Sequence, residues 1–294
     1  MTYSLVARDP VTRELGVAVQ SHWFSVGAVV THARAGVGAV ATQSVPDPTH
    51  GSRLLDLLAG GASPGEALDA VHEGDPAVPY RQTALVDVHG RVAVHTGEGC
   101  MPEAGHARGD GWSVQANIMA SGEVWPAIAE AFASADPRRP LAERLVTALE
   151  AGEEAGGDVR GSQSAALVVV PGEGEPWRRT VDLRVEDHAD PVGELRRLLR
   201  LNAAYADAGA GDELMAEGRI AEAGQRFTSA AELAPEKEEL LFWSGLAAAS
   251  AGDVDTGVQR VREAIARNPG LDELLRRLGE DLAPAAPLVR AALQ

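Results

Sequence analysis

The chain has 294 residues, 45% of them hydrophobic, and its 43 acidic and 26 basic side chains give a formal net charge of -17. No apolar run approaches the roughly 20 residues of a membrane helix, and no charged segment leads into an apolar one as in a secretory signal. The clustered cations that phosphate backbones and anionic membranes attract are missing, and the single cysteine, Cys100, excludes an internal disulfide framework. The expectation is a cytoplasmic protein of two domains that takes no nucleic acid, no membrane and no cofactor.

Tyr3 to Arg8 alternates and reads as a first strand. Asp9-Pro10 opens a turn, and Glu14 to Gln20 forms the second strand of a hairpin. Gly27 to Arg34 and Gly36 to Gln43 are expected to pair as two more strands. Ser52 to Leu58 and Pro64 to His72 have helical spacing, with Ser63 as the cap before Pro64. Gln82 to Val88 and Arg91 to Thr96 flank a His89-Gly90 turn. His106 falls in an expected turn, Trp112 to Ile118 is a strand, and Pro126 to Ser134 and Leu141 to Ala151 are helices. Ser164 to Val170 is a continuous apolar run, suited to a strand buried on both faces, and Leu183 to Val185 adds an edge strand. Strands, then helices, then strands indicate an α+β fold of antiparallel sheets covered by helices.

Near residue 200 the chain turns all-helical and repetitive. Gly211 and Gly245, Gly218 and Gly252, Phe227 and Val261, Ala230 and Ala264, and Pro235 and Pro269 are each 34 residues apart. This period, with small residues at a helix crossing and proline closing the second helix, resembles the tetratricopeptide repeat. The resemblance spans two repeats from Ala204 to Leu271 and a final helix from Leu271 onward. Leu241 stands where the repeat has an aromatic, and Trp243 follows two positions later. The domains are therefore expected at 1–200 and 201–294, with the second recruiting a protein partner and the whole forming a homo-oligomer.

Thr2 is the residue that points to chemistry. Methionine aminopeptidase removes an initiator methionine before a side chain as small as threonine. Thr2 would then carry a free α-amine beside its hydroxyl, a nucleophile with its own general base. The α-amine has an ordinary pKa of about 8, so part of it is neutral near pH 7. Only one lysine, Lys237, occurs in the chain.

The segments Thr2-Tyr3-Ser4-Leu5-Val6-Ala7-Arg8-Asp9, Ser21-His22-Trp23-Phe24-Ser25-Val26-Gly27 and Ala35-Gly36-Val37-Gly38-Ala39-Val40-Ala41-Thr42-Gln43 resemble the DUF1028 family. So do Ser113-Val114-Gln115-Ala116-Asn117 and Arg160-Gly161-Ser162-Gln163-Ser164-Ala165-Ala166, and the resemblance covers nearly all of residues 1 to 200. It implies an N-terminal-nucleophile hydrolase fold, a four-layer αββα sandwich, acting on an amide bond. Thr2 takes the nucleophile's place. The threonine proteases of that superfamily lower the nucleophile's pKa with a lysine, and none precedes Lys237 here. Arginine cannot accept the proton, so the α-amine must take it, and a small amide or related C–N bond is expected rather than a protein substrate.

Asn117, at the end of its strand, matches the place where related amidohydrolases supply an oxyanion donor. Ser4 and Gln115 share faces with Thr2 and Asn117. Gln43 and Ser44 end one strand, Gln163 and Ser164 open another, and His22 follows the second strand beside Trp23 and Phe24. These seven are the expected substrate-binding residues, for a small-molecule substrate. The eight histidines show no metal-binding spacing, and no metal is expected. Cys100, in a glycine turn, is a second candidate nucleophile, with a buried structural cysteine as the alternative. Two other functions remain open at this point: a non-catalytic binding protein on the same fold, and a metal-dependent hydrolase built on His188.

Overall fold

The computed structural model describes residues 2–294, which form two compact units that divide between Leu199 and Arg200. In the first, β1 (Thr2–Arg8) turns tightly into β2 (Leu15–Ser21). The Asp9 carboxylate makes that turn by accepting the Val11 and Thr12 amides at 2.7 and 2.8 Å. The Asp9 amide meanwhile donates to the Glu14 carbonyl at 2.8 Å. The resulting register sets Arg8 opposite Leu15 and Thr2 opposite Ser21. On the far side of β2 lies β9 (Ser164–Val170), then β10 (Val181–Val185). On the far side of β1 lies β8 (Trp112–Asn117), then β7 (Gly105–Gly109). This gives a six-stranded antiparallel sheet with β1 at its centre. A second antiparallel sheet runs β3 (Thr31–Arg34), β4 (Gly38–Ser44), β5 (Arg81–Asp87), β6 (Val92–Thr96).

Strand alternation sends successive side chains to opposite faces. Tyr3, Leu5 and Ala7 of β1 pack against α4 (Val124–Ser134), α5 (Leu141–Glu154) and the first turns of α6 (Pro191–Ala216). Val6, Val17, Val19 and Val168 face Ala39, Ala41, Ala84 and Val86 of the second sheet. The other side of that sheet, through Val40 and Leu85, meets α2 (Pro48–Ala59) and α3 (Pro64–His72). Helices, sheet, sheet and helices thus follow one another through three apolar layers.

Several elements depart from the sequence reading. Gly27 to Arg34 is not one strand: a helical turn, α1 (Gly27–Val30), precedes β3. Thr31 Oγ1 closes the turn by donating to the Gly27 carbonyl at 2.8 Å. A Cβ on Gly27 would stand 2.4 Å from that of Ala166, so only glycine lets this turn rest on β9. His106 lies in β7 rather than in a turn. Helix α2 begins at Pro48, where the Asp47 carboxylate accepts the Thr49 amide.

Outside the second sheet, His50 of α2, His72 of α3 and His95 of β6 stand together. Ring centroids are 6.3 Å apart for His50 and His72, and 4.7 Å for His72 and His95. His50 Nδ1 and His72 Nε2 are buried without a partner among the described residues. Burial, then the neighbouring His95 and His50, pushes the His72 imidazole down to about 4. An unfolded chain binds that proton near 6.5, so between about 6.5 and 4 the unfolded state holds more protons than the folded one. Stability should therefore fall as pH drops through this window. His50, lowered mainly by its burial, adds in the same direction. Melting curves from pH 7.5 down to about 4.5 should be shallower against pH in a His72→Asn variant than in the wild type. Equal slopes would remove His72 from this account.

The second unit is helical: the remainder of α6, then α7 (Ile220–Leu233), α8 (Glu238–Ser250), α9 (Val254–Arg267), α10 (Gly270–Arg277) and α11 (Ala286–Leu293). The expected final helix is split in two between Arg277 and Ala286. Gly211 lies against the Phe227 ring, and Gly245 lies against Val261 and the Gly257 carbonyl. The same close contact thus recurs 34 residues on. No helix of the described residues is long and apolar enough to cross a membrane.

Candidate active site

The register brings four polar side chains into one row at an end of the six-stranded sheet: Ser164, Ser21, Thr2 and Asn117, on β9, β2, β1 and β8. Thr2 is 5% exposed, and its Oγ1 lies 3.0 Å from Ser21 Oγ. Met1 lies outside the described residues.

Beneath Thr2 the two sheets are joined by amides instead of apolar contacts. Ser4 Oγ donates to Gln43 Oε1 at 2.6 Å and accepts from Gln115 Nε2 at 2.5 Å. Gln43 Nε2 donates to the Thr2 carbonyl at 3.1 Å and to Gln82 Oε1 at 2.8 Å. Asn117 Nδ2 donates to the same Gln82 oxygen at 2.8 Å and to the Thr2 carbonyl at 3.4 Å. Gln82 Nε2 in turn donates to Thr96 Oγ1 at 2.9 Å and to the Ala116 carbonyl at 2.8 Å. Two amides thus hold the Thr2 carbonyl, and Gln82 holds both of them. Buried networks of this kind rigidify when fully satisfied and are costly when one member is lost. Gln82→Leu should lower unfolding stability by about 3 kcal/mol, since it strands the Gln43 and Asn117 donors. Urea denaturation measures this, and a loss under about 1 kcal/mol would mean the network relaxes around the gap.

The sequence candidates separate in space. Thr2 and Asn117 are neighbours, with Ser4, Gln43 and Gln115 directly below. Those three are buried and spend their hydrogen bonds on one another, on backbone and on the Gln82 and Ser113 side chains, so in this arrangement they hold the strand. Both Asn117 amide protons are committed, to Gln82 and to Thr2, which makes it a support for Thr2 in this arrangement. Ser164 pins the loop that follows β2: its Oγ donates to the Trp23 carbonyl at 2.5 Å and accepts the Val26 amide at 3.1 Å. The same loop carries Trp23 and Phe24, 61% and 63% exposed. His22 donates its backbone amide to Asp158 Oδ2 at 3.2 Å, and its Nδ1 is buried without a partner among the described residues. Gln163 turns away to Asp187, at 3.1 Å. Ser44 ends β4 with a φ of 71°, a half-exposed corner. Cys100 sits 3.5 Å from the Arg81 carbonyl.

Two residues were missed. Ser21 touches Thr2 and is found by counting the hairpin register outward from Asp9. Gln82 is the second residue of β5, between Arg81 and Thr83, and nothing local distinguishes it from a solvated strand end. Behind Thr2, on the helix face, the Tyr3 hydroxyl donates to Glu153 Oε1 at 2.5 Å, and Ser162 donates to Glu153 Oε2 at 2.6 Å. Burial, with the Glu153 charge, raises the Tyr3 phenol well above its ordinary value. The buried Asp158 pairs with Arg160 at 3.0 Å. No group of three or more His, Cys, Asp or Glu among the described residues is placed to hold a metal. His188 has its Nδ1 at 2.7 Å from the Asp190 carbonyl.

Residues 2–195 match the family of unknown function DUF1028. The chain belongs to the DUF1028 family. A DUF1028 protein of Silicibacter pomeroyi, known from its crystal structure, is 30% identical over 68% of this chain and 88% of its own, with a TM-score of 0.61. The ancestral β-subunit Anbu of Yersinia bercovieri is 13% identical over 66% of this chain and 92% of its own, with a TM-score of 0.35. No curated protein matches the sequence. The DUF1028 match ends four residues before the first unit does, so it takes in the ten strands of the described residues and the whole polar row around Thr2.

Proposed function

We propose that this DUF1028 protein is an N-terminal-nucleophile hydrolase of a small amide or related C–N bond, with Thr2 as nucleophile once Met1 is removed. The observation that carries the reading is the position of Thr2. It heads the central strand, its hydroxyl meets a second hydroxyl at 3.0 Å, and two side-chain amides fix its carbonyl. A weak nucleophile gains most from being held in one geometry. The succession of helices, sheet, sheet and helices supports the four-layer αββα reading. The recurrence of the Gly211 contact at Gly245 supports a tetratricopeptide-like array after residue 200.

The steps follow from the groups present. Thr2 Oγ adds to the amide carbonyl carbon as the free α-amine takes the hydroxyl proton. The C–N bond then breaks, the protonated α-amine returns that proton to the departing nitrogen, and an acyl ester remains on Thr2. Water, deprotonated by the same amine, cleaves the ester and restores the hydroxyl. Ser21, in contact with Oγ1, is the side chain placed to orient the hydroxyl proton. No lysine lies in this unit, and Arg160 is held by Asp158, so the α-amine is the base.

The test is the intact mass and N-terminal sequence of protein made in a host with methionine aminopeptidase. Loss of Met1 is expected. A retained Met1 leaves Thr2 without a free amine and ends this reading.

A further inference from the structure

Thr2 heads β1 on the face that Ser4 and Val6 also occupy, the one turned toward the second sheet. Two segments end beside it. In the six-stranded sheet, the loop after β2 leaves from Ser21, whose hydroxyl touches that of Thr2. In the second sheet, β4 ends at Ser44 and β5 begins at Arg81, next to the Gln43 and Gln82 of the amide layer below Thr2. Both segments turn apolar side chains to water. Trp23 and Phe24 are 61% and 63% exposed on the first, and Val45 and Tyr80 are 46% and 52% exposed on the second. Aromatic residues are only 4% of the chain, yet three of them stand in water around this one end of the two sheets. A cluster of that kind marks a contact surface, whereas apolar side chains scattered singly do not. At the opposite end, Val11 and Trp177 are exposed one to a turn.

Neither segment is loose. The Trp23 carbonyl accepts the Ser164 hydroxyl at 2.5 Å, and Ser164 Oγ accepts the Val26 amide at 3.1 Å. Between them Ser25 takes a φ of 56° and donates its amide to the Glu186 carbonyl at 3.0 Å. A serine in the left-handed region is held there by its surroundings. In the other segment the Val45 carbonyl accepts from Arg81 Nη1 at 2.5 Å, and the Val45 amide donates to the Tyr80 carbonyl at 3.2 Å. Asp75 fixes the Arg81 guanidinium in turn, at 2.9 Å. Surface held this firmly loses little further freedom when a ligand covers it.

The sheet spacings set how far that ligand must reach. Ser164 lies two strands from Thr2, about 10 Å at the ordinary strand spacing, and stacked sheets are also about 10 Å apart. Both apolar segments are thus about 10 Å from the nucleophile. The arginines beside them, Arg81 and Arg160, are matched by Asp75 and Asp158, which favours an uncharged ligand over an anion.

We infer that the substrate is a neutral amide with an apolar chain, and that Trp23 and Phe24 on one side and Val45 and Tyr80 on the other cover that chain. The inference rests on the reading of Thr2 as nucleophile.

The experiment measures hydrolysis of acetamide, butanamide, hexanamide and octanamide by ammonia release, and of N-alkylacetamides of the same lengths by acetate release. The two series place the chain on the acyl or on the amine side. In one of them kcat/KM is expected to rise at least about tenfold from the shortest member to the longest, since a fully buried methylene is worth about fourfold. Trp23→Ser with Phe24→Ser should flatten that rise and leave the melting temperature unchanged, both side chains being exposed. Turnover independent of chain length in both series, or a rise that survives in the double variant, would overturn the inference and leave Thr2 standing. Calorimetry of the same amides on Thr2→Ala separates the other failure. Affinity that grows with chain length, where the wild type shows no turnover, keeps the apolar rim and removes the nucleophile; no turnover together with no binding removes both. A dimer in sedimentation that the double variant dissolves, with the rise intact, would give the aromatic pair to a second copy of the chain.

Discussion

Thr2→Ala is expected to abolish amide hydrolysis, lowering kcat by at least about a thousandfold, while the protein keeps its fold. The magnitude follows from what is removed. A variant without the nucleophile retains only what binding and polarisation achieve, and in hydrolases that use a covalent intermediate this residue is worth about 10³ to 10⁶ in kcat. The stability cost is small by comparison. Thr2 is buried, but its side chain meets the Ser21 hydroxyl, and one neutral hydrogen bond is worth about 1 kcal/mol. In a unit of this size that moves the melting temperature by roughly 2–4 °C. Thr2→Ser keeps both hydroxyl and α-amine and should retain most activity. Ser21→Ala keeps the nucleophile but frees its proton, and should lower kcat by about tenfold to a hundredfold. The assay is turnover of a panel of fluorogenic small amides, with melting curves on the same samples. Equal turnover by wild type and Thr2→Ala would place the chemistry elsewhere or remove it. A covalent mass adduct from a β-lactone that is lost in Thr2→Ala would locate the attacking atom directly.

How far the sequence foretold this depended on whether each signal was local. β1, β2 and β9 announced themselves because alternation and a long apolar run need only neighbouring residues. α3 did too, through Ser63 and Pro64, and the capping box with Glu66 forms as the sequence implies. β7 was hidden because Gly105-His106-Ala107 has no apolar alternation of its own. It is a strand only through its pairing with β8, Gly105 opposite Ala116. α1 was hidden for a related reason: Gly-Ala-Val-Val favours a strand locally, and the close approach to Ala166 overrides it. At the site, Thr2 and Asn117 were legible as strand ends. Their meeting, and the role of Ser21, depend on register. The amide layer was the least legible part. Glutamine at a strand end looks solvated, and only the arrival of the second sheet turns Gln43, Gln82 and Gln115 into a buried network.

The largest stability effect should come from the other end of β1. Asp9→Ala is expected to destabilise the first unit by about 4 kcal/mol, because it leaves the Arg144 guanidinium buried without its counter-charge. Asp9 is 2% and Arg144 6% exposed, and Arg144 Nη2 donates to Asp9 Oδ2. Arg144 also stands over the Phe132 ring, 5.6 Å from its centroid, with its Nε unpartnered, so nothing else there can take the charge. The converse change should cost less. Arg144→Met leaves a carboxylate that still accepts the Val11 and Thr12 amides, and a loss of about 2 kcal/mol is expected. If desolvation of the unpaired charge is the dominant cost, Asp9→Ala with Arg144→Met should be more stable than Asp9→Ala alone, despite having lost the whole pair. Urea denaturation of the four proteins decides this, and simple additivity of the two changes would refute the pairing argument. The consequence reaches Thr2 through the backbone. Asp9 fixes the turn, the turn fixes the register of β1 on β2, and a slip of one residue would turn every β1 side chain to the opposite face. Thr2 meets Ser21 only in the register that this turn selects.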